Sequence, residues 1–171
     1  MSQAISKDKH SPGDREVFIE WMTDHRGVIM KVVRSFTTTN ADADDLYQNI
    51  AMALWRSISS FRGDAKPSTW IWRIALNQAI TWQRSAKPAP SEVDEVIDLP
   101  APNRADDGFL VDRIFNAIQA LSPVDRSLIM LSLEGFSYAE SAEITGLTET
   151  NVGARLTRAR TRLTSYLEES L

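Results

Sequence analysis

Two stretches of this chain carry residue types suited to contact with nucleic acid. The first, TNVGARLTRARTRL over residues 150–163, holds Arg155, Arg158, Arg160 and Arg162 and no acid. Guanidinium groups meet phosphates and read guanine edges, which is the chemistry of a helix in a major groove. At helical spacing the apolar positions are 152, 156, 159, 163 and 167, so Thr150, Asn151, Ala154, Arg155, Arg158 and Arg162 fall mainly on other faces. Gly153 costs a helix about 1 kcal/mol relative to Ala, which makes sense if a side chain there would keep the helix out of a groove. The second stretch, residues 61–84, sets Phe61, Trp70, Trp72 and Trp82 among Arg62, Lys66, Arg73 and Arg84, with only Asp64 opposing them. Single strands are held by rings that stack on bases beside cations that meet phosphates. The FRGDAKPS loop could form a pocket for a base taken out of the stack. Plainer readings stand beside these: arginines that only keep a helix face solvated, and tryptophans that fill a helical core.

The elements that must position these residues are helices. Helix formers dominate the 171 residues, Gly and Pro number seven each, and no segment alternates like a half-buried strand, so the expected class is all-α. VFIEWM and VIMKVV have helical spacing, broken near His25–Gly27, and Leu46, Ile50, Leu54 and Ile58 form one apolar stripe that follows Asp42 and Asp45 at a helix start. Pro67 suits the first turn of the helix carrying the aromatic stretch. Residues 14–84 therefore read as a bundle of about four helices. Downstream, FLVDRIFNAIQAL makes an amphipathic helix, and Ser122–Pro123 starts another that stops at Gly135. Ser137 and Glu140 have capping-box spacing, Gly146 closes that helix, and a final helix runs from about Glu149 to Leu167. The last two helices are joined by a turn of helix-turn-helix length.

Between the two helical groups lies SAKPAPSEVDEVIDLPAPNRADDG, residues 85–108, with four prolines, two basic and six acidic side chains. The chain's net charge of −4 is thus a property of this stretch, which reads as an extended acidic tether.

LSPVDRSLIMLSLEGFSYAESAEITGLTETNVGARLTRARTRL resembles region 4 of a bacterial RNA polymerase sigma factor of the extracytoplasmic-function (ECF) group in the sigma-70 superfamily. DADDLYQNIAMALWRSISSFRGDAKPSTWIWRIALNQAITWQR resembles region 2 of that family. The resemblance implies two small helical domains joined by a flexible acidic linker: region 2 at 14–84, the linker at 85–108 and region 4 at 109–171. It implies that Asp42, Asp45, Leu46, Gln48, Asn49 and Trp55 bind core RNA polymerase, at the clamp of its largest subunit, while region 4 meets the flap of the second largest. Leu46, Leu54 and Trp55 also suit an ordinary core role. Phe61, Arg62, Lys66, Ser68, Arg73, Asn77, Gln78, Thr81 and Arg84 would contact the downstream promoter element as it melts. Ser137, Thr150, Asn151, Ala154, Arg155, Arg158 and Arg162 would contact the upstream element as duplex. An anti-sigma protein is a further implied partner. The tether would either run through the polymerase in place of nucleic acid or act as a plain spacer. The chain departs from the family pattern at Asn49, where an acid is common, at Ala51, where an aromatic is common, and at Ser141, where an aliphatic residue is usual. Its Arg84–Ser85 stands where two basic residues are usual.

Other classes are less well served. The chain has two histidines, no cysteine, no Gly-rich phosphate loop after a strand and no HExxH helix, so catalysis and a bound cofactor are not expected. No run of eighteen apolar residues and no apolar signal core occur, which leads to the expectation of a cytoplasmic protein without membrane insertion. A stand-alone helix-turn-helix regulator would use the second group alone and leave the aromatic stretch unexplained. A helical protein-binding adaptor would show no salt-sensitive DNA binding.

Overall fold

The computed structural model describes residues 11–85 and 105–169. The polar N-terminal stretch and most of the acidic tether lie outside these residues. Among the described residues there are eight α-helices and no strand: α1 (Pro12–Asp24), α2 (Arg26–Phe36), α3 (Asn40–Ser57), α4 (Pro67–Ser85), α5 (Ala105–Gln119), α6 (Pro123–Leu133), α7 (Tyr138–Thr145) and α8 (Glu149–Glu169), with one 3-10 turn at Ile58–Ser60. The fold is all-α, with α1–α4 in one group and α5–α8 in the other.

The caps lie where local chemistry predicts them. The Thr39 side chain accepts from Asp42 N, the Ser122 side chain accepts from Asp125 N, and Ser137 and Glu140 close a full capping box. Gly135 and Gly146 take φ of 84° and 74°, the left-handed conformation that ends a helix without a Cβ penalty. Two boundaries differ from expectation. The break between α1 and α2 falls on His25 alone, and Gly27 sits inside α2. Helix α5 begins at Ala105, inside the stretch expected to be tether.

The stripe Leu46, Ile50, Leu54 and Ile58 is buried against Ile29, Val32 and Val33 of α2 and Ile71, Trp72, Ala75, Leu76 and Ala79 of α4. A second cluster joins Ile118 and Leu121 to Leu128 and Ile129 of α6 and Val152, Leu156 and Ala159 of α8. Met130 and Leu131 of α6 and Ile144 of α7 turn the other way and belong to the first cluster. Helix α6 is therefore buried from Asp125 through Leu131 on all sides, as a helix between two layers must be.

Polar contacts follow the same seam. The last carbonyls of a helix have no partner within it, and those at the end of α2 are met from the other helical group. Gln119 Nε2 donates to the carbonyls of Arg34 and Thr37, both at 2.8 Å, and Arg126 Nη1 donates to that of Ser35 at 3.0 Å.

Candidate nucleic-acid interface

On α8, burial of Val152, Leu156 and Ala159 fixes the rotation of the helix. Thr150, Asn151, Ala154, Arg158 and Arg162 are exposed on its other faces. The Thr148 hydroxyl accepts from Asn151 N at 3.3 Å, so the first turn is held with its small polar residues outward. Arg155 behaves differently. Its Nη1 donates to Asp125 Oδ1 at 2.7 Å, which ties α8 to the first turn of α6, and Arg162 stands 3.8 Å from the other oxygen of that carboxylate. Arg160 donates to the Ser132 hydroxyl at 2.8 Å. Of the four arginines, Arg158 is displayed outward, Arg155 and Arg160 are engaged with α6, and Arg162 is exposed at the edge of the Asp125 carboxylate.

The Ser137 hydroxyl, a candidate for DNA contact, caps α7 by accepting from Glu140 N at 3.2 Å. Hydrogen bonds from the Ser137 backbone and then its side chain hold the Glu140 carboxyl below its usual range. Gly153 has a different reason from the one expected. A Cβ there would lie 3.2 Å from Tyr138 Cε2, so the missing side chain makes room for the ring of α7 rather than for a groove.

In the first group, Asp42, Asp45, Asn49, Gln78, Thr81, Trp82 and Ser85 line one open groove between α3 and α4, of about 600 Å³. Residues expected to bind polymerase and residues expected to bind melted DNA share it. Asp45 accepts from Trp82 Nε1 at 2.8 Å, and Asn49 Nδ2 approaches the same oxygen at 3.5 Å. Gln48 is exposed on α3, and Trp55 is half-buried with its ring edge-on to Phe18, centroids 5.4 Å apart. Leu46 needs correcting as a polymerase contact: it is wholly buried in the core, where α3 packs on α2 and α4.

The aromatic stretch is largely structural. Trp72 is buried, Phe61 lies edge-on to both Trp21 and Trp70, and Trp70 Nε1 donates to the Ser57 hydroxyl at 3.0 Å. All four rings therefore have partners inside the protein, and stacking on bases is not their resting arrangement. The polar members of the set are better presented. Arg62, Lys66, Asn77, Thr81 and Arg84 are exposed, while Ser68 and Gln78 are half-buried. Arg73 is the exception, because its Nη2 meets Glu143 Oε1 of α7 at 3.0 Å and the Glu143 carbonyl at 3.3 Å.

Two further residues were not foreseen in the sequence. Asp125, seven per cent exposed, anchors Arg155. Arg126, three per cent exposed, donates to carbonyls of Ser35, Gln119 and Leu121 and to Gln83 Oε1. Burial lowers its guanidinium pKa to about 10. The signal was present in PVDRSLIMLSL, where charged residues open a helix apolar on every face.

Comparison with known proteins agrees with this arrangement. Sigma-70 region 2 matches residues 21–88 and Sigma-70, region 4 matches residues 112–163. The ECF RNA polymerase sigma factor SigM of Mycobacterium tuberculosis is 31% identical over 160 residues, covering 92% of this chain and 81% of that protein. The ECF RNA polymerase sigma-E factor of Escherichia coli is 26% identical over 178 residues, covering 94% and 91%. Among solved structures, CnrH in complex with the cytosolic domain of CnrY aligns with a TM-score of 0.68 at 24% identity, over 93% of this chain and 92% of that one. The sigma factor RpoE of Bartonella quintana, in complex with the anti-sigma factor NepR, aligns with a TM-score of 0.66 at 21% identity, over 90% and 98%. With helix order, capped helix-turn-helix and both sigma-70 regions in place, the chain belongs to the ECF RNA polymerase sigma factors.

Proposed function

We propose that this sigma factor joins core RNA polymerase and directs it to start transcription at promoters read by both helical groups. The observation that carries the reading is α8: a rigid helix behind a capped scaffold helix, with Thr150, Asn151, Ala154, Arg158 and Arg162 outward and its apolar face locked down. This helix takes the major groove of the upstream element. The first group, residues 14–84, takes polymerase through Asp42, Gln48, Asn49 and Trp55 and the melted downstream element through Arg62, Lys66, Asn77, Gln78, Thr81 and Arg84. The tether, 85–108, spans the two, and residues 109–171 form the upstream-binding domain. The chain itself carries no catalytic step; polymerisation belongs to its partner, in the cytoplasm. No helix among the described residues is long and apolar enough to cross a membrane. An anti-sigma protein is the expected regulator.

Gel filtration with and without core polymerase tests this. The chain should run as a monomer alone and co-elute with the polymerase. A stable dimer that ignores polymerase would point instead to a stand-alone regulator.

A further inference from the structure

Arg155 is the arginine of the α8 set that the proposed duplex contacts leave out, and its surroundings give the reason. Arg155, Arg158 and Arg162 share one stripe of α8, at i, i+3 and i+7. The Asp125 side chain, 11% exposed, reaches both ends of that stripe: Oδ1 accepts from Arg155 Nη1 at 2.7 Å, and Oδ2 stands 3.8 Å from Arg162 Nη1. Arg158, between them, is exposed.

Two helix starts in this group use the same spacing differently. At α7 the Glu140 carboxylate turns back on its own cap and accepts from Ser137 N at 2.8 Å. At α6 the Ser122 hydroxyl accepts from Asp125 N at 3.2 Å, but the Asp125 carboxylate turns to α8. A charge-assisted bond to a carboxylate so little exposed is screened much less than a surface pair. Arg155 Nε is also buried without a hydrogen-bond partner, so this guanidinium is drawn in against α6 rather than extended for DNA.

Four arginines and no acid over residues 150–163 would pull in any duplex, because phosphate contacts carry no sequence information. A carboxylate fixed on α6 reduces that pull and leaves Thr150 and Asn151 exposed at the start of α8, free to meet bases. We propose that Asp125 is a specificity-determining residue: it withholds Arg155 from the phosphate backbone and so lowers binding to random duplex relative to promoter. This rests on the reading of α8 as the duplex-binding helix.

The test uses the full chain and a random-sequence duplex, titrated over a range of salt. Asp125→Ala should steepen the salt slope by about one unit and tighten binding at about 50 mM salt by about threefold or more. Asp125→Ala with Arg155→Ala should return the slope to that of the natural chain. Circular dichroism checks folding; if Asp125→Ala does not fold, Asp125→Asn, which keeps the shape and removes the charge, carries the same expectation. Equal slopes, no binding by either chain, or a steeper slope that survives removal of Arg155 would overturn the proposal. So would a shallower slope, which would mean that Asp125 aims Arg155 at DNA. With core polymerase and a genomic library, random duplex should suppress the specific transcripts of the Asp125→Ala chain at about one third of the amount needed for the natural chain. If the natural chain starts no specific transcripts, the sigma-factor reading fails, while the salt slopes still decide whether Asp125 withholds Arg155.

Discussion

Asp125 and Arg155 join the first turn of α6 to the second turn of α8, at 2.7 Å. The pair separates two kinds of arginine on one helix. Removing Arg155 leaves a nearly buried carboxylate short of its main partner; the Arg155 side chain is 32% exposed, so water offsets part of the loss. Arg155→Ala should destabilise the fold by about 1–3 kcal/mol in urea titration, with the salt dependence of DNA binding little changed. Arg158→Ala should do the reverse: near-unchanged stability, and a salt slope shallower by about one unit.

The Ser137–Glu140 cap is pH-sensitive. Hydrogen bonds from Ser137 stabilise the ionised carboxylate, so its folded pKa lies below the ordinary glutamate value of 4.5. A depressed folded value means that the contribution is present above the unfolded pKa and is lost as pH falls through the folded one. NMR titration should find Glu140 ionising below 4.5, and Ser137→Ala should move it back towards 4.5.

Ser141 is one per cent exposed and its hydroxyl has no hydrogen-bond partner. A buried polar group without compensation costs stability, and alanine removes the group with almost no loss of volume. Ser141→Ala should raise stability by about 1 kcal/mol in thermal or urea unfolding. A loss of stability would show that the hydroxyl has a role that its surroundings do not reveal.

Gly153 and Tyr138 should be coupled. An alanine Cβ at 3.2 Å from the ring forces a shift of a few tenths of an ångström, which offsets the helix propensity gained. Gly153→Ala should be close to neutral in the natural chain but stabilising by about 1 kcal/mol when Tyr138 is also Ala. A double-mutant cycle measures the difference.

Helix order was legible because its signals are local. Ser122–Pro123, Ser137 with Glu140, and Gly146 each act within one turn, and the Leu46–Ile58 stripe needs only the helical repeat. The outward set of α8 followed from the same repeat, apart from Arg155, whose partner Asp125 lies thirty positions away. Contacts of that kind are invisible to periodicity. The aromatic stretch illustrates the same limit, since stacking on DNA and packing on Trp21, Ser57 or Phe136 use one residue type. Nor did the tether's length and acidity indicate that the groups dock; the all-round apolar character of α6 was the sign of it.

Reconstituted transcription tests the central claim most directly. Core polymerase supplied with this chain and genomic DNA should begin discrete new transcripts whose upstream regions share two short sequence elements at a fixed spacing. Transcripts identical to those of core polymerase alone would contradict it.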